Sequence, residues 1–207
     1  MGNRYLLGES ALPRATAVVA AALVSTAGTG VALGQPAITI EVDNPVLLPG
    51  ESTTVTMFAG FGPPDYAVFG IDTDFVSSVG SDGWAAVGLI SPMNGPGTTP
   101  GTSSAAGFDG IIAVQLQYLG AGIYADPTNP IPFWRGTYTA PSDAVVPFEV
   151  DLATMTRWYE VYPSMTTSRS ESRIDELVEG SGTIRVIPAP ASVIALAMGA
   201  ACLRRPR

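Results

Sequence analysis

The sequence predicts an all-β sandwich of about nine strands, on three observations. Residues 37–186 carry apolar and polar side chains in alternation rather than at helical spacing. Turn signals interrupt these runs at short intervals, as expected of strands of ordinary length. Gly and Pro number 23 and 18 in 207 residues, a content that suits a chain of many turns.

The strands follow in order. Ala37–Val42 is the first alternating run. Asp43-Asn-Pro-Val-Leu-Leu-Pro-Gly50 reads as a turn-rich connection closed by Pro-Gly. Ser52–Phe58 is the second, with Val55 and Met57 on one face and Thr54 and Thr56 on the other. Tyr66–Val76, Trp84–Ile90, Gly110–Leu119, Phe133–Thr139, Pro147–Leu152, Arg157–Tyr162 and Gly182–Val186 complete the set. Ser91–Gly107 is aperiodic and rich in Gly, Pro, Ser and Thr, and is expected to be a long loop. Pro163–Gly180 is a second connection; within it Glu171–Glu179 reads either as a short helix, with Ile174, Leu177 and Val178 on one face, or as an acidic loop.

The two ends have a different character. Arg4 and Arg14 precede the apolar run Ala15–Val24, and Ala32 and Gly34 place small residues at −3 and −1 of a cleavage point before Gln35. This is the pattern of a signal peptide with its apolar helix. At the other end Pro188-Ala189-Pro190 precedes the apolar run Ala191–Leu203 and then Arg204, Arg205, Pro206 and Arg207. As a helix the thirteen residues of that run would span about 20 Å, short of a bilayer core of about 30 Å. The segment therefore reads as a transient membrane anchor with the arginines left on the cytoplasmic side. The expected organisation is a signal peptide over 1–34, an extracellular β-sandwich over 35–187 and a C-terminal sorting signal with a short hydrophobic helix over 188–207.

Pro188-Ala189-Pro190, the apolar run and the Arg204–Arg205 cluster together resemble the PEP-CTERM sorting signal of bacterial surface proteins, with Ala189 where the usual motif has Glu. The resemblance covers about the last twenty residues. It implies an exosortase as processing partner and delivery to the cell surface or extracellular matrix through a membrane-anchored intermediate. A second resemblance lies in the domain. Val42–Met57, with its Pro-Gly-Glu turn and Thr/Val-rich strand, Phe69-Gly-Ile-Asp-Thr-Asp-Phe75 and Pro147-Phe-Glu-Val150 are similar to cohesin and related carbohydrate-binding-module sandwiches. It implies inward aromatics on the strand 69–75, and partners among dockerins, sugars or neighbouring surface proteins. A dockerin would bring a calcium dependence of its own.

Composition narrows the chemistry. Between residues 36 and 190 seventeen acids face five arginines, a net charge near −12. Such a surface repels phosphate backbones, so nucleic acid is excluded as a natural partner. The chain has no His and no Lys, and its one Cys, Cys202, lies in the C-terminal apolar run. Ser-His-Asp triads, Ser-Lys dyads and His-ligated zinc or haem are therefore ruled out. A non-enzymatic domain without cofactor, of structural or adhesive role, is the main expectation. A carbohydrate-binding module and a cohesin-like module are the alternatives.

Three sets of residues carry candidate chemistry. Asp72 and Asp74 share one strand face, with Ile71, Thr73 and Phe75 on the other. The pair reads as Ca²⁺ ligands joined by Asp65 or Asp109, as a carboxylate pair, or as the solvated face of an amphipathic strand. Trp84, Trp134 and Trp158, with Tyr118, Tyr124, Tyr138, Tyr159 and Tyr162, offer flat faces for a sugar ring or for core packing. Trp134 and Trp158 are the candidates for sugar contact. Trp158 and Tyr159 are adjacent and so face opposite ways, one inward and one outward.

Overall fold

A computed structural model describes residues 34–188. The signal peptide and the apolar run of the sorting segment lie outside the described residues, as do Ala32, Ala189, Pro190, Arg204 and Arg205.

Among the described residues eleven strands form two sheets: β1 (Ala37–Val42), β2 (Val46–Leu47), β3 (Ser52–Gly60), β4 (Ala67–Ser77), β5 (Trp84–Leu89), β6 (Thr99–Ser104), β7 (Gly107–Val114), β8 (Ile131–Thr139), β9 (Phe148–Tyr162), β10 (Glu171–Ser172) and β11 (Ser181–Val186). One sheet has four strands in the order β1-β3-β8-β5. The other has seven, β2-β11-β9-β4-β7-β6, with β10 pairing against β9. All the strand pairs are antiparallel except β2 with β11.

Period-2 alternation explains the layers. In β3, Val55, Met57 and Ala59 are buried between the sheets; in β4, Ile71, Thr73 and Phe75 are. The centre is aromatic. Phe75 stacks on Trp134 at 4.8 Å and 28° and meets Trp84 edge-on at 4.9 Å. Such pairs add about 0.5–1.5 kcal/mol each beyond the area they bury. The Trp84 indole N–H is buried among these rings with no acceptor among the described residues. Tyr159 of β9 donates its hydroxyl to the carbonyl of Gly60 at the end of β3, 2.7 Å away, and so ties one sheet to the other. Burial first, and the charge of Asp65 second, push the Tyr159 hydroxyl well above the ordinary tyrosine range.

The β-sandwich is as expected, and four local differences have physical causes. The expected loop 91–107 contains β6, an edge strand paired to β7. Thr99-Pro-Gly-Thr-Ser-Ser104 has no apolar alternation because an edge strand can be polar. Its Gly101 has φ +90° and supplies the irregularity that Pro100 invites. The runs 147–152 and 157–162 are one fifteen-residue strand, β9. The helix considered for 171–179 is a single 3₁₀ turn, Ile174–Glu176, beside the short β10. Phe69 is bulged out of the β4–β9 pairing. It packs with Tyr66 and Tyr162 in a small satellite cluster, while Phe75 alone enters the main core.

Candidate functional site

The outer face of the seven-stranded sheet gathers the side chains with chemistry. Alternation in β4 turns Asp72 and Asp74 outward. Across the pairing, Asp72 faces Trp158 while Thr73 faces Thr156, which leaves Arg157 as the extra residue of a β-bulge. Arg157 and Trp158 therefore both point out, and Tyr159 resumes the inward phase.

Arg157 bridges the two carboxylates. Its Nη2 donates to Asp72 Oδ1 at 2.5 Å and its Nη1 to Asp74 Oδ2 at 2.6 Å. The bonds to Asp72 and then to Asp74 hold the guanidinium charged, further above its already high range. Asp74 Oδ1 also accepts the backbone N–H of Gly110 at 2.7 Å, which fixes the carboxylate against β7. The carboxylate pair, for which calcium ligation is one of three readings, thus holds an internal cation. A metal ion there would have to displace a guanidinium from two charge-assisted hydrogen bonds. The two other expected donors do not converge on it. Asp65 is nearly buried at one end of the sandwich, where it accepts from Arg173 Nε and Nη2 at 3.0 and 2.8 Å. Asp109 accepts from the Ser104 hydroxyl. Among the described residues no three acidic or thiol groups come together as a metal site would need.

Apolar side chains surround the clamp. Met155 is 62% exposed, although it stands in the middle of β9. Val76, Ile112 and Val114 are partly exposed on the same face. The Trp158 ring packs against Gly70: a Cβ on that glycine would meet the ring at 2.5 Å. Its indole N–H donates to Glu160 at 2.7 Å, and Phe69 packs edge-on against it at 5.5 Å. Trp158 keeps an outward ring surface. Trp134 does not. It is fully buried and donates to the Pro100 carbonyl at 3.1 Å, so the sugar contact expected of it is closed by the core itself. Tyr138, Tyr159 and Tyr162 are likewise buried, whereas Tyr118 and Tyr124 are exposed.

Two buried glutamines, Gln115 and Gln117, were not among the expected residues. Gln117 donates to the carbonyls of Met165 and Thr167 and accepts from Ala125 N–H. Gln115 donates to Val68 O and accepts from Asp126 N–H. They pin the loops at one end of the sandwich. Arg157 was also missed, although its bulge is legible. Leu152, Thr154 and Thr156 carry the inward phase on even positions, and Tyr159 and Val161 carry it on odd ones, which requires one extra residue at 157–158.

No protein-family model matches this sequence, and no curated protein matches it. Solved structures share its architecture. The seventh ScaB type I cohesin from Pseudobacteroides cellulosolvens aligns over 74% of this chain and 94% of its own, at 13% identity and a TM-score of 0.50. The cohesin module of a Clostridium perfringens family 33 glycoside hydrolase aligns over 75% and 99%, at 10% identity and a TM-score of 0.47. The OlpA cohesin of Clostridium thermocellum, in complex with a dockerin, aligns over 73% and 99%, at 20% identity and a TM-score of 0.47. At these identities the likeness is one of fold: the domain is a cohesin-like β-sandwich.

Proposed function

We propose that the chain is an exported, non-catalytic binding module whose docking face is the outer surface of β9, β4, β7 and β6, and whose partner is a protein of dockerin type. The observation that carries this is the Arg157 clamp between Asp72 and Asp74, set among Met155, Ile112, Val114 and Trp158. Arg, Met and Trp are residues that protein interfaces favour. Four strands about 4.8 Å apart, averaging roughly 33 Å in length, give a face of about 630 Å², somewhat below the ~800 Å² a partner covers in a standard complex. The cohesin-like fold and the resemblance of residues 42–57 support a partner-binding role over a purely structural or adhesive one. Asp109, Asp151 and Glu160 make the surroundings acidic, which favours a partner presenting apolar and basic side chains.

Calorimetric titration against a panel of calcium-loaded dockerins tests this reading. Arg157→Glu and Met155→Arg should weaken binding at least ~100-fold, and Thr137→Arg on the opposite sheet should leave it unchanged. The reading fails if no dockerin binds, or if Thr137→Arg abolishes binding and the other two do not. The outward ring of Trp158 favours a second reading, a carbohydrate-binding module. Retarded migration in polysaccharide gels that Trp158→Ala abolishes would support it.

Delivery to the surface is the other half of the proposal. It is supported by the order of basic region, apolar run and small residues before Gln35, and by Pro188-Ala189-Pro190 ahead of the apolar run and arginines. An exosortase-type enzyme is the processing partner in this reading. Intact mass and fractionation in a host with that enzyme should show a product lacking 1–34 and the tail beyond about Pro190. Pro188→Ala with Pro190→Ala should leave the tail uncut in the membrane. A cytosolic protein with its N-terminus intact sinks this half.

A further inference from the structure

Four exposed large apolar side chains, Leu48, Val145, Val146 and Ile187, stand at the end of the sandwich from which the C-terminal segment leaves. β11 finishes with Val186 beside Phe148 on one side and parallel to Leu47 on the other. Ile187 N–H then donates to Leu47 O at 2.8 Å. The neighbouring turn and loop are held to the same end: Gly50 N–H donates to Ala140 O, and the Leu48 N–H to Glu51 Oε2. Around this exit stand Leu48 and Ile187, both exposed, and the consecutive Val145 and Val146, which are 82% and 65% exposed at the tip of the loop before β9. The core gains nothing from these two valines.

Three residues, Pro188, Ala189 and Pro190, separate Ile187 from the apolar run Ala191–Leu203. Three residues span at most about 10 Å, and two prolines make the tether stiff. With the run in a bilayer, the exit end cannot stand away from the headgroups. We propose that this end, with Val145 and Val146 at its tip, seats against the lipid surface while the C-terminal segment is in the membrane. The inference rests on the surface-delivery reading of that segment. Among the described residues no arginine neutralises Asp143 or Glu51 at this end, whereas Glu149 is paired with Arg185, so a zwitterionic surface suits it better than an anionic one. The seating also has a consequence for the proposed docking face: that face runs along the strands, and stays exposed to the side when the end of the sandwich is down.

The test uses the full chain from an exporting host in a Cys202→Ser background, reconstituted into phosphatidylcholine vesicles carrying nitroxide-labelled phosphatidylcholine. A fluorophore is placed through Val145→Cys, or through Tyr118→Cys at the opposite end; both positions are exposed, so neither substitution threatens the fold. Lipid quenching should remove about half of the Val145 signal and leave the Tyr118 signal intact. Val146→Asp in the labelled Val145→Cys chain should abolish quenching while the protein stays with the vesicles. If the chain floats with the vesicles and neither label is quenched, the seating is wrong and delivery stands. If the chain does not associate with vesicles, both fail. Quenching at Tyr118 instead overturns the proposed orientation. A Val145 label shielded from aqueous iodide but not quenched by lipid means that the C-terminal segment itself covers the valines, which also overturns it.

Discussion

The outer face of the four-stranded sheet and that of the seven-stranded sheet lie over one shared core, yet they present different chemistry. The first carries mostly small hydroxylated residues around the exposed Arg135. Thr54 pairs with Thr137 and Ser52 with Thr139, while Ala85 and Gly88 line the edge strand β5. The second carries a clamped ion triad, a tryptophan packed against a glycine and an exposed methionine. The alternation that builds both inner layers is indifferent to what faces out. The difference is therefore free to carry function, and five substitutions separate what is common to the two faces from what is particular to one.

The largest effect comes from the common core. Phe75 packs on Trp134 of the four-stranded sheet from its own position in the seven-stranded one. Phe75→Ala should cost about 3–5 kcal/mol in denaturant unfolding and abolish dockerin binding, although the residue is remote from the proposed partner. A cost below about 1 kcal/mol would mean that the two sheets do not share a core. Gly70→Ala is smaller and one-sided. The added Cβ meets the Trp158 ring at 2.5 Å, so the ring must move. We expect a loss of about 1–3 kcal/mol and a shift in Trp emission as Trp158 lifts away.

Tyr159 joins the two regions, and its effect depends on pH. Its hydroxyl is pushed up in the folded state, whereas the unfolded chain ionises near pH 10. The folded form thus holds a proton that the unfolded form releases. This contribution is fully present below about pH 10 and is lost as pH rises beyond it. Tyr159→Phe removes the bond to Gly60 O at a cost of about 1 kcal/mol at neutral pH. It should also make the fall in stability between pH 9 and pH 12 shallower, as read from denaturant midpoints. An unchanged slope would show that other buried groups set the alkaline limit.

What could be read in advance follows the same division. The inner layers were legible because alternation over Ser52–Phe58 and Tyr66–Val76 encodes burial directly. Ile71, Thr73 and Phe75 face inward as their spacing demands. The edge strand β6 was hidden because Thr, Ser, Gly and Pro serve an edge and a loop equally well. The candidate site was half legible. Asp72 and Asp74 were placed together by a two-residue spacing, but Arg157 lies 83 residues beyond Asp74. Which residue stands opposite them depends on strand register and on the bulge. The same ignorance of register made Trp134 a surface candidate: Trp134 is fully buried, whereas Trp158 is half-buried on the outer face.

The smallest effect sharpens the comparison most. Arg157→Met keeps an unbranched apolar stem but removes the charge, and Thr137→Val is nearly isosteric; both lie at mid-strand positions on the outer faces. If Arg157 served stability, its loss would leave Asp72 and Asp74 repelling each other beneath a partly desolvated surface. The Arg157 side chain is half exposed, so solvent screens most of that energy, and the ion triad should contribute no more than about 1 kcal/mol. Thr137→Val should be within about 0.5 kcal/mol of neutral, since β-branched residues suit a strand equally well. Added salt should shrink the Arg157→Met effect and leave that of Thr137→Val alone. If both are that small while Arg157→Glu still removes partner binding, the clamp is retained for recognition rather than for folding. If Arg157→Met costs several kcal/mol even at high salt, the triad is part of the sheet's architecture, and the docking face must then be argued from Met155 and Trp158 alone.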